Sequence, residues 1–490
     1  MPLSPEELRS LASFAAERTA DGLLCLDTDG KILYANESAA RTLGQPASTL
    51  AGRDIYAIAS EMNPALWKEL WKEIRTNSSF SFEFQLSAAG GRPVHVELIA
   101  HHLEPAQREL ACVFFRDIEE RKRLQSLQQE FVSTVSHELR TPMTVIREGV
   151  AQVVEGLRGD INNAQERALT LALNGIERMG RIIDELLDIS KIESGKILLK
   201  RERIDVAALA REVGGTFQSL ASDRGLDLRV TTPAGPVMLY ADRDRVIQVL
   251  TNLVGNSFKF TEKGHVQITV SSREGEVECA VSDTGIGLAA GDLEKIFNKF
   301  EQLGQVSFTG EKGTGLGLSI SRGIIEHHKG RLWAESAGAG KGSRIAFVIP
   351  RLSGRDIFAE QLTGMLKEVA RRGGTLSTVI FRIEHLGPAP ATDAQLTAAL
   401  TQLEQLVRRE SGRLNDLFVK DVDTLYMALQ STVKREAARI ADRVVAAFQE
   451  SLTSQKLDPH FHLACSIASY PEEAADEETF LGMIFKREAA

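Results

Sequence analysis

Two long stretches in the middle of the chain carry apolar residues at intervals of three and four positions. This spacing predicts two amphipathic helices, because residues three and four apart share one face of an α-helix. A polar, glycine-containing segment at 155–160 separates the two stretches and predicts a turn. The apolar positions are Leu124, Leu127, Phe131, Val135, Leu139, Ile146, Val150 and Val153, and then Leu169, Leu173, Ile176, Met179, Ile183, Leu186, Leu187 and Ile189.

The apolar stripe on these helices is broader than one helical hairpin can bury. We therefore expect an antiparallel helical hairpin that pairs with a second copy of the chain, giving a homodimer with a four-helix bundle. The second helix is expected to end near Gly195, because glycine often follows the last helical residue.

The segment before these helices predicts a helix that starts at Ser4, a strand pair around the Asp29–Gly30 turn, two helical patches and three more strands. Residues 200–350 alternate strand and helix signals, and a second α/β pattern follows them. We therefore predict a multidomain α+β protein with domains at 1–119, 120–199, 200–350 and 355–490.

Composition narrows the functional classes. A net charge of -9 argues against nucleic acid as the main partner, since neutralising phosphates needs a basic surface. The sequence contains no apolar run of membrane-spanning length and does not open on a signal-peptide pattern, so we expect a cytoplasmic protein with no membrane span.

The four cysteines lie far apart in apolar, strand-like contexts, without the spacing of zinc ligands or of a disulfide framework. We expect buried free thiols in a reducing compartment. They are Cys25, Cys112, Cys279 and Cys465.

The first predicted long helix carries a candidate nucleophile. His137 is two positions from Val135 and from Leu139, so it faces away from the apolar stripe. A neutral imidazole has one ring nitrogen with a free lone pair, which can act as a nucleophile. Glu138 could accept the other ring proton, and Thr141, one turn on, could orient a water. Taken alone, an exposed histidine on an amphipathic helix is more often only solvated.

Three groups of residues between 244 and 322 suggest a nucleotide site. Asn252, Asn256 and Lys259 share one helix face, where an amide oxygen suits Mg²⁺ and a lysine suits phosphates. Asp283 ends an apolar strand and precedes Gly285 and Gly287, so its carboxylate could accept the amino hydrogens of adenine. Gly313, Gly315 and Gly317 lead into a helix, whose first backbone amides favour phosphate. A polar segment from Gln302 to Lys312 is expected to be a mobile lid.

Together these residues resemble the core of a bacterial two-component sensor histidine kinase. The five matching motifs are the histidine box His137–Pro142, the asparagine box Asn252–Lys259, the aspartate-glycine box Asp283–Gly287, the phenylalanine box around Phe297 and Phe300, and the glycine-rich box Gly313–Gly317. The order of elements before them is similar to a PAS sensor domain ending at Asp117–Lys122. The resemblance implies a PAS α/β sheet with a side cavity or a dimer face, and a Bergerat-type α/β ATP-binding sandwich.

The resemblance also implies residue roles. His137 would accept the phosphoryl group, Glu138 would assist as base, and Thr141 would position water for dephosphorylating a partner response regulator. Asn256 would hold Mg²⁺, Lys259 the phosphates and Asp283 the adenine. The alternative is a pseudokinase scaffold that binds ATP without phosphoryl transfer. The PAS ligand cannot be read from the sequence; His95, His101 and His102 could bind haem, although ordinary strand histidines are more common.

The last segment resembles a degenerate GGDEF (diguanylate cyclase) domain. Asp421 and Val422 occupy the glycine-pair position, and Arg382 stands where the first metal aspartate is expected. Asp423 keeps one acid, but two-metal phosphoryl transfer needs both. We predict no cyclase activity, with a regulatory or dimerising role instead; another kind of α/β module remains the alternative.

Overall fold

The structure is a computed structural model that describes residues 3–59, 62, 64–77, 79–105, 108–195, 197, 199–273, 275–302, 313–372, 374–387, 391–411, 416–454, 460–474 and 476–488. Its contacts divide the chain into two compact units, Met1–Val145 and Ile146–Ala490. Within the described ranges, no helix combines the length and apolar content needed to cross a membrane.

The first unit is built on an antiparallel sheet in the strand order β2-β1-β5-β4-β3. The predicted start of its first helix is confirmed, because Ser4 and Glu7 form a reciprocal capping box. The predicted hairpin, helical patches and three later strands are also confirmed. The elements are α1 (Pro5–Arg18), β1 (Gly22–Leu26), β2 (Ile32–Ala35), α2 (Glu37–Leu43), α3 (Ala47–Leu50), α4 (Pro64–Asn77), β3 (Ser79–Ser87), β4 (Pro93–Leu103) and β5 (Leu110–Asp117).

A small apolar cavity, about 30 Å³ in volume, lies in the core of this first unit, in keeping with the side cavity expected for a PAS-like sheet. Its lining comes from β1, β3, β4, β5, α4 and the segment before α4, and includes Leu24, Trp67, Phe82, Leu98 and Val113. The three strand histidines do not line it, so the cavity gives the haem alternative no support.

Two long helices follow the sheet. Helix α5 (Glu119–Val154) continues through Pro142, and α6 (Asn163–Glu193) begins with a capping box on Asn162. Gly195, with φ of 63°, follows the end of α6 as predicted. The expected pairing of the two helices with a second copy stays a prediction.

The second unit contains an α/β sandwich. Its larger sheet has the strand order β11-β12-β10-β9-β7, with β7 parallel to β9, and β6 pairs separately with β8. Apolar residues of α7, α8 and α9 share one core with the larger sheet. The elements are β6 (Arg201–Asp205), α7 (Val206–Arg224), β7 (Asp227–Thr231), β8 (Met238–Asp242), α8 (Arg243–Phe260), β9 (His265–Arg273), β10 (Glu276–Asp283), α9 (Gly317–His327), β11 (Arg331–Glu335) and β12 (Ser343–Pro350).

The C-terminal part of the second unit is the predicted additional α/β module. Its antiparallel sheet has the strand order β14-β15-β13-β16, with an apolar core on each face. The elements are α10 (Gly354–Arg372), β13 (Leu376–His385), α11 (Asp393–Ser411), β14 (Leu417–Lys420), β15 (Thr424–Gln430), α12 (Lys434–Ser454), β16 (Phe461–Tyr470) and α13 (Glu477–Glu488). The prediction of a multidomain α+β fold is therefore confirmed.

The expectation that the cysteines are buried is wrong for three of them. All four lie on strands as predicted, but only Cys279 is buried, whereas Cys25 and Cys112 are half-buried and Cys465 is exposed. For Cys25 and Cys112 the reason is strand alternation, which turns every second side chain away from the core. Cys465 lies on β16, which is an edge strand of its sheet.

Candidate functional site

The exposed candidate nucleophile lies near the middle of α5. His137 and Glu138 are both exposed, as the helical periodicity predicts. The Thr141 hydroxyl lies 3.4 Å from the His137 backbone carbonyl oxygen and donates to it, which keeps that hydroxyl one turn from the imidazole. No hydrogen bond between the Glu138 carboxylate and the His137 ring is formed among the described residues. The role of Glu138 therefore rests on the sequence alone.

Helix α8 presents the asparagines and the lysine predicted for the nucleotide site. Asn252 Nδ2 donates to Ser321 Oγ at 2.9 Å, and Asn256 Nδ2 lies 3.4 Å from Asn252 Oδ1. Both asparagines are half-buried. Lys259 Nζ lies 5.2 Å from the Phe260 ring centroid. The helix thus places two amides and one ammonium group along one face, as predicted.

The start of α8 is fixed by a buried histidine that sequence reasoning missed. Asp242 caps the helix by accepting from Arg245 N at 3.1 Å. The backbone N–H of Asp242 donates to Nε2 of His328, which is buried, at 3.0 Å. Nδ1 of His328 lies 2.8 Å from the Ile324 carbonyl oxygen, so the neutral ring donates there and accepts at Nε2. Burial lowers the pKa of His328 and favours this neutral form.

Asp283 ends β10, as predicted, and its carboxylate is held by two serines. Oδ2 accepts from Ser343 Oγ at 2.7 Å and from Ser257 Oγ at 3.3 Å. Oδ1 accepts from Gly285 N at 2.9 Å and from Ser343 N at 3.3 Å. The long bond from the Ser257 hydroxyl is weak and can be exchanged for a ligand donor. Ser257 lies inside the asparagine box but was given no role there, and Ser343 lies outside the motifs recognised in the sequence.

Close backbone contacts explain the glycines of the site. A Cβ at Gly285 would lie 2.2 Å from the Phe260 carbonyl oxygen, and one at Gly317 would lie 2.4 Å from Asn252 Oδ1. Gly313 stands beside Lys259, since its Cβ would lie 3.1 Å from the lysine Nζ. Gly287, with φ of 66°, has the backbone conformation that favours glycine. The glycine-rich turn therefore packs directly against the α8 side chains.

The glycine-rich turn leads into the free start of α9. This helix begins at Gly317, and no side chain caps its first amides within the described residues. Uncapped amides at a helix start are suited to an anion. Together with Lys259 and Asn256 they can neutralise and orient a polyphosphate.

The aromatic motif and the expected lid lie before this turn. Phe297 is buried, whereas Phe300 is exposed and has a φ of 60°. The expected lid, Gln302–Lys312, falls outside the described residues from 303 onward.

The nucleotide-site elements are also tied to α6. Thr314 Oγ1 donates to Glu185 Oε2 at 2.5 Å, and Asp188 Oδ2 accepts from Arg245 Nη1 and Gln248 Nε2, both at 2.8 Å. These carboxylates lie on the polar side of an amphipathic helix. No sequence motif distinguished them from ordinary surface charges.

Three family models match separate parts of the chain. A PAS domain matches residues 20–120, the "His Kinase A (phospho-acceptor) domain" matches 127–195, and the "Histidine kinase-, DNA gyrase B-, and HSP90-like ATPase" matches 241–353. The second range contains His137, and the third contains the α8, β10 and α9 residues described above.

Among curated proteins, the chain is similar to bacterial sensor proteins. The chain is 29% identical to the sensor histidine kinase WalK of Bacillus subtilis (strain 168) over 353 residues, 70% of this chain and 56% of WalK. It is 30% identical to the sensor protein SrrB of Staphylococcus aureus (strain MRSA252) over 250 residues, 51% of this chain and 42% of SrrB. The chain thus spans about half the length of these relatives.

Among solved structures, full-length ShkA in complex with AMPPNP is similar to 45% of this chain and 46% of its own, at 27% identity and a TM-score of 0.40. The family matches and the curated relatives agree with the motifs found in the sequence. The chain therefore contains a PAS domain, a His Kinase A (phospho-acceptor) domain and a histidine kinase-, DNA gyrase B- and HSP90-like ATPase domain, in that order.

Proposed function

We propose that this protein is an ATP-dependent histidine kinase that phosphorylates its own His137. The observation that carries the proposal is the presence, in one chain, of a solvent-exposed histidine on the HisKA helix and a nucleotide site with its motif side chains half-buried and facing one another. In the reaction a ring nitrogen of His137 forms a bond to the γ-phosphorus, the bond from that phosphorus to the β–γ bridging oxygen breaks, and ADP leaves.

The residues of the site divide the work of binding ATP. Asp283, oriented by Ser257 and Ser343, accepts the adenine amino group. Lys259 and the first amides of α9 neutralise the phosphates. The Asn256 amide oxygen fits a Mg²⁺ that also binds phosphate oxygens, since this ion prefers oxygen ligands. Catalysis then consists mostly of positioning and charge neutralisation.

The proposed kinase acts as a homodimer. Support comes from apolar side chains that are exposed along α5, among them Phe131 at 68% and Leu124 at 57%. Exposed apolar residues at helical spacing are suited to a bundle with a second copy. The HisKA match over 127–195 covers most of both helices.

The phosphoryl group then passes to an aspartate of a separate response regulator. We also propose that the kinase dephosphorylates that regulator, with Thr141 orienting the water. Replacing Thr141 with alanine should leave autophosphorylation unchanged and reduce regulator dephosphorylation. An unchanged dephosphorylation rate would remove Thr141 from that role.

Incubation of the full chain with γ-labelled ATP tests the kinase. We expect an acid-labile, alkali-stable label that is lost in His137→Ala and kept in His462→Ala, which removes an exposed histidine from β16. The pseudokinase alternative predicts ATP binding without label in the wild type. Because His137 is exposed, its loss should change the free energy of unfolding by less than about 0.5 kcal/mol.

The C-terminal module is proposed to be a degenerate GGDEF-like domain without cyclase activity. The Asp421 carboxylate supports this, because Oδ2 accepts from Gly354 N at 2.7 Å and Oδ1 from Val422 N at 2.9 Å. A carboxylate committed to its own backbone is poorly suited to hold a metal-bound triphosphate. Incubation with GTP should therefore give no cyclic dinucleotide, and its formation would overturn this assignment.

A further inference from the structure

Two cysteine side chains meet on the sheet of the first unit. Cys25 on β1 and Cys112 on β5 are directly opposite each other in the antiparallel register. Their Sγ atoms are 3.3 Å apart. Both residues are half-buried, so small molecules in solvent can reach the pair.

The backbone already has the spacing that a disulfide needs. Opposite residues of an antiparallel pair have Cα atoms about 4.5 to 5.5 Å apart, within the range seen for disulfides. Starting from the present 3.3 Å, the two sulfurs would have to approach by roughly 1.3 Å to bond. Rotation about the two side-chain bonds supplies that movement without a change in register.

The two thiols are chemically unequal, which suits a stepwise oxidation. The hydrogen bond from the Cys25 thiol lowers the pKa of Cys112 to about 7. The same hydrogen bond, together with burial, raises the pKa of Cys25. Cys112 therefore carries the reactive thiolate and Cys25 the proton. His101 on β4 is the other register neighbour of Cys112, and Tyr34 on β2 is the other neighbour of Cys25.

We propose that Cys25 and Cys112 are a redox modification site, a dithiol that a hydroperoxide converts reversibly into a cross-strand disulfide. The Cys112 thiolate attacks the terminal peroxide oxygen, the O–O bond breaks, and a sulfenic acid forms, while the leaving alkoxide (or hydroxide) takes a proton from solvent and departs as an alcohol (or water). The Cys25 sulfur then attacks Cys112 Sγ, the S–O bond breaks, and water leaves with the Cys25 proton. A small dithiol reverses the reaction by becoming a disulfide itself.

The other two cysteines provide internal contrasts. Cys279 is fully buried on β10, and desolvation raises its pKa to about 12, so it is protected from oxidants. Cys465 is exposed on β16, and its pKa is also raised by desolvation. Neither has another sulfur within hydrogen-bonding distance in the described part of the chain.

The position of the pair gives oxidation a structural consequence. Strands β1 and β5 are neighbours in the middle of the sheet order, and Asp117 at the end of β5 is two residues from the first residue of α5. A disulfide would fix the pairing of the strand that leads into the helix carrying His137. The first unit would then sense an oxidant through a disulfide in its sheet, and not through a ligand bound in its apolar cavity.

Peptide mapping of the full chain tests the site. The reduced protein is treated with hydrogen peroxide, its remaining thiols are blocked with N-ethylmaleimide, and the non-reduced digest is analysed by mass spectrometry. We expect a peptide pair joining Cys25 to Cys112, lighter by two hydrogens than the separate peptides. Dithiothreitol should restore both thiols.

Two matched variants separate this pair from adventitious oxidation. Cys25→Ser keeps a hydrogen-bond donor near Cys112 but cannot form the bridge, so oxidation should stop at a sulfenic acid that a dimedone probe labels. Cys465→Ser should keep the Cys25–Cys112 bridge at the wild-type yield. The proposal is overturned if peroxide leaves both thiols free to react with maleimide, if Cys112 goes directly to the sulfinic acid in the wild type, or if the bridges formed involve Cys465. These readouts do not depend on kinase activity.

Discussion

The nucleotide site around α8 and the turn at Asp421–Asp423 use polar residues in opposite ways. In the first, the glycines at 285, 287, 315 and 317 keep backbone bare beside half-buried amides and a lysine. In the second, Asp421 and Val422 place bulk on the turn, and Tyr240 OH donates to the Lys420 carbonyl oxygen. The nucleotide site keeps its polar groups available for a ligand. The polar groups of the Asp421–Asp423 turn instead form hydrogen bonds that hold this turn to Tyr240 and to the start of α10.

The difference shows that a polar motif indicates a ligand site when the hydrogen bonds to its side chains can be exchanged for bonds to a ligand. Asp283 and Asp421 are both hydrogen-bonded carboxylates. The bond that Asp283 accepts from the Ser257 hydroxyl is 3.3 Å long and comes from a side chain, so it can give way to a ligand donor. The bonds that Asp421 accepts from Gly354 N and Val422 N are 2.7 and 2.9 Å and come from backbone that a ligand cannot displace.

The largest expected effect is a loss of autophosphorylation when an asparagine is removed from the ligand-facing side of α8. Asn256→Ala should reduce autophosphorylation roughly 10²- to 10³-fold, the usual effect of removing one group that stabilises transition-state charge. Asp421→Ala should leave the rate unchanged if the C-terminal turn takes no part in the reaction. The measurement is the rate of label transfer from γ-labelled ATP.

Asn174→Ala is the matched control, since it removes an exposed asparagine from α6. The comparison between the two regions fails if Asn256→Ala retains wild-type turnover, or if Asp421→Ala is as damaging as Asn256→Ala.

A second prediction concerns the close backbone approach at Gly285. Its Cβ would meet the Phe260 carbonyl oxygen at 2.2 Å, so Gly285→Ala must displace the end of α8 or the loop after β10. Overpacking of this kind costs about 1–3 kcal/mol, which corresponds to a rise of roughly 5- to 150-fold in the Kd for ATP. Calorimetric titration with a non-hydrolysable ATP analogue measures it.

Gly291→Ala is the control, because a Cβ there meets nothing within 4 Å. Equal affinities in the two variants would show that backbone crowding at Gly285 does not shape the site.

The sequence predicted a large part of this site, for physical reasons that vary by residue. Asn252, Asn256 and Lys259 follow from helical spacing, and Asp283 follows from the end of an apolar strand. Ser257, Ser343 and His328 were not found, because their roles depend on contacts between elements far apart in the chain. A serine or histidine has no period or spacing that reveals such a contact.

The fold was also predicted unevenly. Alternation and turn residues located the strands of the first unit, and capping residues located the starts of α1 and α6. The degree of cysteine burial was not predicted, since it depends on which face of each sheet is covered. The approach of Tyr240 to Lys420 joins residues 180 positions apart and could not be predicted either.

A third, smaller effect is expected at the start of α10, where Gly354 N donates to the Asp421 carboxylate. We call this contact between α10 and the Asp421 turn the joint. A Cβ on Gly354 would lie 2.8 Å from the Lys420 carbonyl oxygen, so Gly354→Ala should cost about 1–3 kcal/mol of stability. Gly364→Ala, in the interior of the same helix with open space around its Cβ, should instead stabilise by about 0.5–1 kcal/mol. Urea unfolding compares the two.

Neither variant should alter the rate of label transfer from ATP, because both substitutions lie on α10, outside the nucleotide site. A loss of phosphorylation in Gly354→Ala alone would show that the joint also controls the nucleotide site.

The smallest effect is a pH dependence at His328, which lies where the two regions meet. Its Nε2 accepts from Asp242 N at the start of α8, while Arg201 donates to the neighbouring His327 carbonyl oxygen and pairs with Glu360 of α10. Desolvation, together with Arg201 and His327, lowers the pKa of His328, and the Ile324 carbonyl and Asp242 act in the opposite direction.

The sign of the pH dependence follows from this lowered pKa. The unfolded chain takes up a proton at its histidines near pH 6.5, whereas the folded ring resists protonation, so the contribution of His328 is complete above that pH and is lost as the pH falls below it. The slope for one proton is at most about 1.4 kcal/mol per pH unit. Protonation would also remove the acceptor for Asp242 N and loosen the first turn of α8.

Hydrogen exchange of the backbone amides at 242–250, followed by mass spectrometry between pH 7.5 and 5.5 and corrected for the intrinsic exchange rate, measures this loosening. In the wild type, the free energy of opening should decrease as the pH is lowered. It should vary less in His328→Gln, because the glutamine amide oxygen can accept from Asp242 N without titrating. Identical slopes in the two proteins would mean that His328 does not take up a proton when this segment opens. In that case the boundary between the nucleotide site and the joint is fixed by Asp242 and Arg201 alone.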